Sequence, residues 1–216
     1  MNTLKLHLDI LDKPRTTLLK KLTTHTKGFI LSGGTALALQ LGHRKSFDFD
    51  FSSQTEIPAN LLEKLSQQIS IKTVSVDTVD ELTFFNSDNI KVTFLQYPFP
   101  QIFEPLTLDN NLKIFPVKEI SIQKAYTIGR RGEYRDYFDI YSILKQQVIS
   151  LREIITDAEK KYKEVFNTKL FLQQLVYFDD LLNFDIVHFG DSPLPKPDEI
   201  QLFLKNEVKK YLSHSL

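Results

Sequence analysis

The chain has 216 residues, of which 42% are hydrophobic and 25% charged, and its 27 basic side chains balance 27 acidic ones. This composition predicts a globular protein with a substantial core, and the zero net charge disfavours a general RNA-binding protein. The absence of cysteine excludes disulfides and thiolate chemistry, and without a signal peptide or an apolar run of about 20 residues we expect a cytoplasmic protein with no membrane association.

The first half of the chain alternates between helical and extended patterns. Proline in the first turn favours a helix over 14–22, and Gly42 is placed to end a helix over 35–41. A turn at 87–89 separates two strands of a predicted hairpin. Further elements are predicted in this order: a strand over 29–31, a strand over 47–51, a helix over 60–69, strands over 71–79, 81–85 and 90–97, and a short strand over 112–116.

The second half of the chain is predicted to be helical. Helical patterns cover 119–130, 134–145, 151–162, 169–177 and, after a proline-rich loop, 198–212. Because strands are confined to the first half, the sequence predicts an α+β fold. A small mixed sheet flanked by helices would occupy 1–116, and a helical C-terminal domain would occupy 117–216.

A glycine pair opens the helix predicted over 35–41. Gly33 and Gly34 lack Cβ atoms, so a ligand could approach the backbone closely, and Thr35 is suited to cap the helix or to contact a phosphate. The first amides of a helix favour an anion. Alone, this motif fits a structural corner better than a phosphate site.

Two aspartates follow on the predicted strand over 47–51. Residues two apart on a strand share a face, so Asp48 and Asp50 would project together while Phe47, Phe49 and Phe51 enter the core. Paired carboxylates suit Mg²⁺, which often combines them with substrate phosphates. Alone, the pair fits an acidic solvent-facing strand. Together with the glycine turn, it favours a metal-and-phosphate site.

Three basic residues, His43, Arg44 and Lys45, separate the two motifs. They would either add positive charge near a triphosphate or form a solvated turn. In the second half, Asp136 and Asp139 are three apart and share a helix face. An ordinary surface pair of Arg135 with Asp139, worth about 0.3–0.5 kcal/mol, is the alternative there.

These motifs together resemble the AbiEii/AbiGii toxin family, within the DNA polymerase beta-like minimal nucleotidyltransferase superfamily. The resemblance lies in segments 33–44 and 48–51, and in Lys124 followed by the segment 135–140. It spans roughly residues 28 to 145. It implies the minimal nucleotidyltransferase fold and transfer of a nucleoside monophosphate from a nucleoside triphosphate to an acceptor.

The resemblance also implies roles for individual residues. Nucleotide binding would fall to Ser32, Gly33, Gly34, Thr35, Arg44 and Lys124. Asp48 and Asp50 would hold Mg²⁺ or Mn²⁺. Asp136 or Asp139 would complete the catalytic set, either by activating the acceptor or by positioning Lys124.

One position departs from the superfamily pattern, in which many members carry a third carboxylate on a later strand. The matching position here is Thr93, which cannot act as a carboxylate base or a strong metal ligand. The sequence therefore leaves two functions open. The first is an active nucleotidyltransferase acting on RNA, such as tRNA, or on protein, in the role of a toxin of a type IV toxin–antitoxin or abortive-infection system with a separately encoded antitoxin. The second is a degenerate fold that binds nucleotide or protein without turnover.

Overall fold

A computed structural model describes residues 6–108, 111–128, 130–190 and 193–213. The chain divides into two compact units, one ending at Pro116 and the other beginning at Val117. The first unit contains a seven-stranded mixed sheet with helices, and the described part of the second is built from helices. This confirms the predicted α+β fold class.

The first unit begins with a 3₁₀ turn at Leu8–Ile10. Its helices are α1 (Lys13–Thr23), α2 (Gly33–Leu41) and α3 (Leu61–Ser66). Its strands are β1 (Ile30–Ser32), β2 (Phe49–Ser53), β3 (Ile71–Asp77), β4 (Glu81–Asn86), β5 (Lys91–Gln96), β6 (Leu106–Thr107) and β7 (Lys113–Ile114).

The sheet has the strand order β3-β4-β5-β2-β1-β7-β6. Strand β2 lies at its centre, antiparallel to β1 and parallel to β5. The outer strand β3 is mostly exposed and pairs with β4 through two register irregularities. The central position of β2 gives the acidic strand neighbours on both sides.

One face of the central strands forms the core of the first unit. Phe49, Phe51 and Phe94 are fully buried there, and the rings of Phe51 and Phe94 stack with centroids 5.1 Å apart. Phe29 meets Phe94 edge-on at 4.9 Å. Because side chains alternate along a strand, the residues between these phenylalanines lie on the opposite face.

The second unit contains five helices among its described residues. They are α4 (Val117–Thr127), α5 (Tyr134–Lys145), α6 (Leu151–Tyr162), α7 (Thr168–Leu175) and α8 (Pro197–Ser213), with a 3₁₀ turn at Lys163–Val165 after α6. Ser150 and Glu153 form a capping box at the start of α6, which fixes where that helix begins. Within the described ranges, no helix is both long and apolar enough to cross a bilayer.

Several predicted boundaries differ from the structure. Helix α2 begins at Gly33 rather than at residue 35, and β2 begins at Phe49, after Asp48. Phe47 therefore lies outside the strand and only partly buried, with the Arg15 guanidinium 4.8 Å from its ring centroid, rather than in the core. The predicted helix over 119–130 ends at Thr127, and part of its remainder lies outside the described residues.

The phenylalanine core yields a prediction about stability. Replacing Phe94 with alanine removes both ring contacts and leaves a cavity, so the free energy of unfolding should fall by about 3–5 kcal/mol. Leu95→Ala, at the next position of the same strand with 36% exposure, should cost less than about 1 kcal/mol. Urea denaturation measures both. Equal losses for the two variants would contradict the placement of the core.

Candidate functional site

The glycine turn brings a helix N-terminus against the acidic strand. Gly33 has a φ of +67°, a conformation that other residues rarely adopt. A Cβ built on Gly33 would lie 2.6 Å from Oδ2 of Asp50 and 3.3 Å from its Cβ. The Asp50 side chain is therefore packed directly on the glycine backbone at the start of α2. Asp50 is only partly buried, so a ligand can reach this point.

Two hydroxyl groups hold the backbone of the aspartate segment in place. The Ser32 hydroxyl donates to the carbonyl of Asp50 at 3.1 Å and lies 2.8 Å from the Ser52 hydroxyl. The Thr35 hydroxyl donates to the carbonyl of Asp48. The Thr35 hydroxyl also lies 2.8 Å from Oγ of Ser46. Both carbonyl groups are thus anchored from the β1–α2 turn.

These contacts correct the predicted capping role of Thr35, whereas its predicted contact with a phosphate stays a prediction. Ser32, not Thr35, is the N-cap residue of α2, and its side chain makes no capping bond to the helix. Thr35 lies in the first turn, 1% exposed, with its hydroxyl engaged by Ser46 and Asp48. In this structure Ser32 and Thr35 position the carboxylate segment, and the amides at the start of α2 receive no cap from Ser32.

The side chain of Arg44 folds back onto the same helix start. A Cβ on Gly34 would lie 2.5 Å from Nη2 of Arg44, so the guanidinium packs against the glycine backbone. Arg44 is 4% exposed, and its Nη1 donates to the Lys45 carbonyl at 3.0 Å. Arg44 is therefore a buried cation beside the N-terminus of α2. This excludes the solvated-turn alternative for Arg44, whereas Lys45 is exposed.

Asp48 and Asp50 supply two carboxylates, one just before β2 and one within it, and both are partly buried. Among the described residues, no group of three or more histidine, aspartate or glutamate side chains is arranged to hold a metal ion. The prediction that Asp48 and Asp50 together hold a cation stays a prediction. Such a pair fits Mg²⁺ or Mn²⁺, which commonly completes its coordination with water and substrate phosphate oxygens.

The strand β5, next to β2, carries threonine at the position that matches the third carboxylate of the superfamily pattern. Thr93 of β5 is aligned with Asp50 in the parallel pairing. Thr93 in turn is aligned with Thr83 of β4, and their hydroxyl oxygens are 3.2 Å apart. Thr83 also donates to the carboxylate of Glu81 at 2.7 Å. The sequence carries no signal for this group, because Glu81 lies at the start of an ordinary-looking strand.

The second unit contains a buried cluster around Lys124 of α4. Nζ of Lys124 lies 2.6 Å from Oδ1 of Asp136 and 2.6 Å from Oδ2 of Asp139. Nε of Arg131 lies 2.8 Å from the other oxygen of Asp136. Asp136 and Asp139 are 1% and 0% exposed, and Lys124 is 5% exposed. The three predicted residues of this unit are thus brought together, and Arg131 joins them.

The cluster also excludes the surface-pair alternative. Asp139 is buried against Lys124, and Arg135 instead lies 3.2 Å from the exposed Glu133. Burial raises the pKa of Asp136, but the charges and hydrogen bonds of Lys124 and Arg131 outweigh it and hold that pKa below its ordinary value. Asp136 is therefore ionised at neutral pH.

A second buried ion pair lies on the same helix. Glu119 of α4 and Lys161 of α6 are in direct contact, and each side chain is 0% exposed. Burial lowers the pKa of Lys161, and the hydrogen bond and charge of Glu119 oppose that shift. The sequence carries no signal for this pair, because glutamate and lysine are both ordinary residues of a helix.

Replacing Gly33 with alanine should separate backbone strain from the contact with Asp50. Gly28 is the matched control, since its φ is +91° but a Cβ there meets nothing within 4 Å. Both variants should lose about 1–2 kcal/mol of stability from the backbone conformation. Only Gly33→Ala should also displace the Asp50 side chain, seen by NMR as moved Asp50 resonances. Unmoved resonances in Gly33→Ala would contradict the packing described above.

The lowered pKa of Asp136 predicts a pH dependence of stability. A carboxylate with a folded-state pKa below its unfolded value stabilises the protein above the unfolded pKa, about 3.9. That stabilisation should be lost as the pH falls from about 4 through the folded-state pKa. Chemical denaturation across this range measures it, and Asp136→Asn should abolish this part of the dependence. A variant with the wild-type slope would contradict the prediction.

Comparison with known proteins identifies a relative of this chain. It is 32% identical over 194 residues to the uncharacterized protein aq_aa25 of Aquifex aeolicus (strain VF5), covering 86% of this chain and 89% of that protein. No protein-family model matches the sequence. The resemblance to the AbiEii/AbiGii family therefore stays a prediction.

Two crystal structures from Helicobacter pylori resemble the fold. One is a candidate nucleotidyltransferase with a TM-score of 0.57 and 20% identity, covering 95% of this chain and 99% of that one. The other, JHP933, has a TM-score of 0.57 and 21% identity, covering 95% and 97% of the two chains. At this level of identity the likeness establishes the fold, and the predicted nucleotidyltransferase fold is confirmed.

Proposed function

This chain belongs to the family of the A. aeolicus protein, and we propose that it is a nucleotidyltransferase that transfers a nucleoside monophosphate from a nucleoside triphosphate to an RNA or protein acceptor. The observation that carries the proposal is the packing of the Asp50 side chain on Gly33 at the start of α2. It places a carboxylate next to a helix N-terminus, where the helix dipole and free amides favour phosphate.

A carboxylate and a phosphate repel each other unless a cation lies between them. Asp48 and Asp50 are the residues that would hold Mg²⁺ or Mn²⁺, which supplies charge neutralisation to the triphosphate when bound. The buried guanidinium of Arg44, packed on Gly34, adds a fixed positive charge beside the same helix start. Donors fixed before substrate arrives stabilise developing charge without reorganisation.

The residues of the β1–α2 turn have separate roles in the proposed reaction. The backbone of Gly33 and Gly34 binds phosphate oxygens, and Ser32 and Thr35 keep the carboxylate segment in register through its carbonyls. The acceptor hydroxyl attacks the α-phosphorus, the bond to the bridging oxygen breaks, and pyrophosphate leaves. This arrangement of charge supports in-line phosphoryl transfer.

The contact of Lys124 with phosphate stays a prediction from the family resemblance. Within the second unit, Asp136 and Asp139 hold the Lys124 ammonium group in a fixed position. Ion pairs this deeply buried are a poor source of stability, which supports a functional reason for the cluster.

The biological role proposed is that of a toxin of a type IV toxin–antitoxin or abortive-infection system, neutralised by a separately encoded antitoxin. Its support is the resemblance of the motifs to the AbiEii/AbiGii family. Induced expression in a bacterial host should stop growth if this role is correct, and Asp50→Asn should relieve the arrest. Growth at the wild-type rate during full expression would contradict it.

Thr93 favours a second candidate function, a nucleotide-binding module without turnover. Strand β5 offers threonine rather than a carboxylate beside Asp50. Both candidate functions require nucleotide binding, which calorimetry with nucleoside triphosphates and Mg²⁺ measures. A transfer assay then distinguishes the nucleotidyltransferase from the nucleotide-binding module. Metal-dependent binding without transfer would support the module.

Replacing Asp50 with asparagine tests the carboxylate pair. Each α-³²P-labelled nucleoside triphosphate is incubated with the protein, Mg²⁺ and total bacterial RNA, and label is followed in RNA and in protein. Asp50→Asn should lower transfer about 100-fold or more, because a charge contact at the reacting phosphate is lost. Asp77→Asn, on the exposed outer strand β3, is the matched control and should keep full activity. Equal activity of both variants would overturn the assignment.

A further inference from the structure

Asp48 lies in a stretch of chain that the sheet does not hold. Residues 42–48 belong to no helix or strand, and β2 begins at Phe49. The pairing of β2 with β5 starts at Phe49, and its pairing with β1 extends only to Asp50. The direction of the Asp48 carboxylate therefore depends on contacts made outside the sheet.

Arg15 of helix α1 supplies one of these contacts. Its Nε donates to the carbonyl of Phe47 at 3.0 Å, and its guanidinium carbon lies 4.8 Å from the centroid of the Phe47 ring. The side chain of Arg15 is 18% exposed, so water competes little with this hydrogen bond. A charged donor also makes a stronger hydrogen bond than a neutral one. Helix α1 thus holds the peptide group that immediately precedes Asp48.

Asp12, the N-cap residue of α1, orients this guanidinium. One carboxylate oxygen of Asp12 accepts from the backbone amide of Arg15 at 2.9 Å, which caps the helix. The other oxygen is in direct contact with Nη1 of Arg15. Because a guanidinium is planar and rigid, holding Nη1 also restricts the direction in which Nε donates.

The two peptide groups on either side of the Asp48 Cα are therefore held from different helices. Arg15 of α1 donates to the carbonyl before Asp48, and Thr35 of α2 donates to the carbonyl of Asp48 itself. Peptide groups are planar, so holding both of them restricts the two torsions between them, φ and ψ of Asp48. These torsions set the direction of the Asp48 Cβ, and with it the place of the carboxylate.

We propose that Arg15 is a positioning residue of the carboxylate site, directing Asp48 toward the metal ion that it would share with Asp50. This inference rests on the proposed nucleotidyl transfer, and it adds helix α1 to the elements that build the site. Arg15 acts in this role through the Phe47 carbonyl, without touching nucleotide or metal. Arg15 and Phe47 are 32 positions apart, so no local motif of the sequence indicates this contact.

The test measures nucleotide binding with and without metal. Calorimetry gives the dissociation constant of an α,β-methylene nucleoside triphosphate of each base, which cannot transfer its nucleoside monophosphate, in Mn²⁺ and in EDTA. Arg15→Met keeps an unbranched side chain and removes the donors. It should lose about 10–100-fold in affinity in Mn²⁺, as expected when a metal ligand loses its supporting hydrogen bond, and should keep the wild-type affinity in EDTA.

Three further variants isolate the hydrogen bond to the carbonyl. Phe47→Leu removes the ring but keeps the carbonyl that Arg15 contacts, and Lys20→Gln removes an exposed charge from the same helix. Both are controls and should keep the wild-type affinity in Mn²⁺. Asp12→Asn retains a capping oxygen but loses the charge that orients the guanidinium. Its affinity in Mn²⁺ should fall, by a smaller factor than that of Arg15→Met.

A purely structural role for Arg15 predicts a different pattern. The inference is overturned if Arg15→Met and Asp12→Asn both bind with wild-type affinity in Mn²⁺, or if Arg15→Met loses as much affinity in EDTA as in Mn²⁺. If Arg15→Met does not fold, the same comparison is made with Asp12→Asn. The lack of any Mn²⁺-dependent gain in affinity by the wild type would instead overturn the proposed function, and it is seen before any variant is compared.

Discussion

The first unit depends on two hydrogen bonds between side-chain hydroxyls and backbone carbonyls. Ser32 and Thr35, three residues apart across the β1–α2 turn, donate to the carbonyls of Asp50 and Asp48. These bonds tie the start of α2 to the central strand, and the close packing of Gly33 on Asp50 follows from them. Because the carbonyls are the anchors, the proposed chemistry of the two carboxylates is separate from the interactions that hold their backbone.

The second unit buries several charged side chains. Lys124 is surrounded by two carboxylates, and Glu119 and Lys161 neutralise each other in full burial. Desolvating ions costs several kcal/mol each, so these pairs persist only because each charge has a close partner. Removing one partner would leave an uncompensated charge in the core. The helices that carry these residues are therefore constrained by charge matching as well as by apolar packing.

Patterns within one element were predictable, and contacts between elements were not. The three-residue spacing of Asp136 and Asp139 is local, so the sequence placed this pair correctly on one face, where both contact Lys124. The partner of Thr35 is Asp48, thirteen positions away, and only folding reveals it. The hydrogen bond from Thr83 to Thr93 of the neighbouring strand joins residues ten positions apart and is likewise revealed only by folding.

Strand β3 has a consequence for the behaviour of the chain in concentrated solution. It is an edge strand of the sheet, and the amides and carbonyls of such an edge could pair with a strand from another molecule. The register shifts at Ile71–Thr73 and Val74–Val76 interrupt the regular hydrogen-bond pattern with β4 and bend this edge strand. A second molecule would find no straight template there, so the irregularities protect the chain against edge-to-edge aggregation.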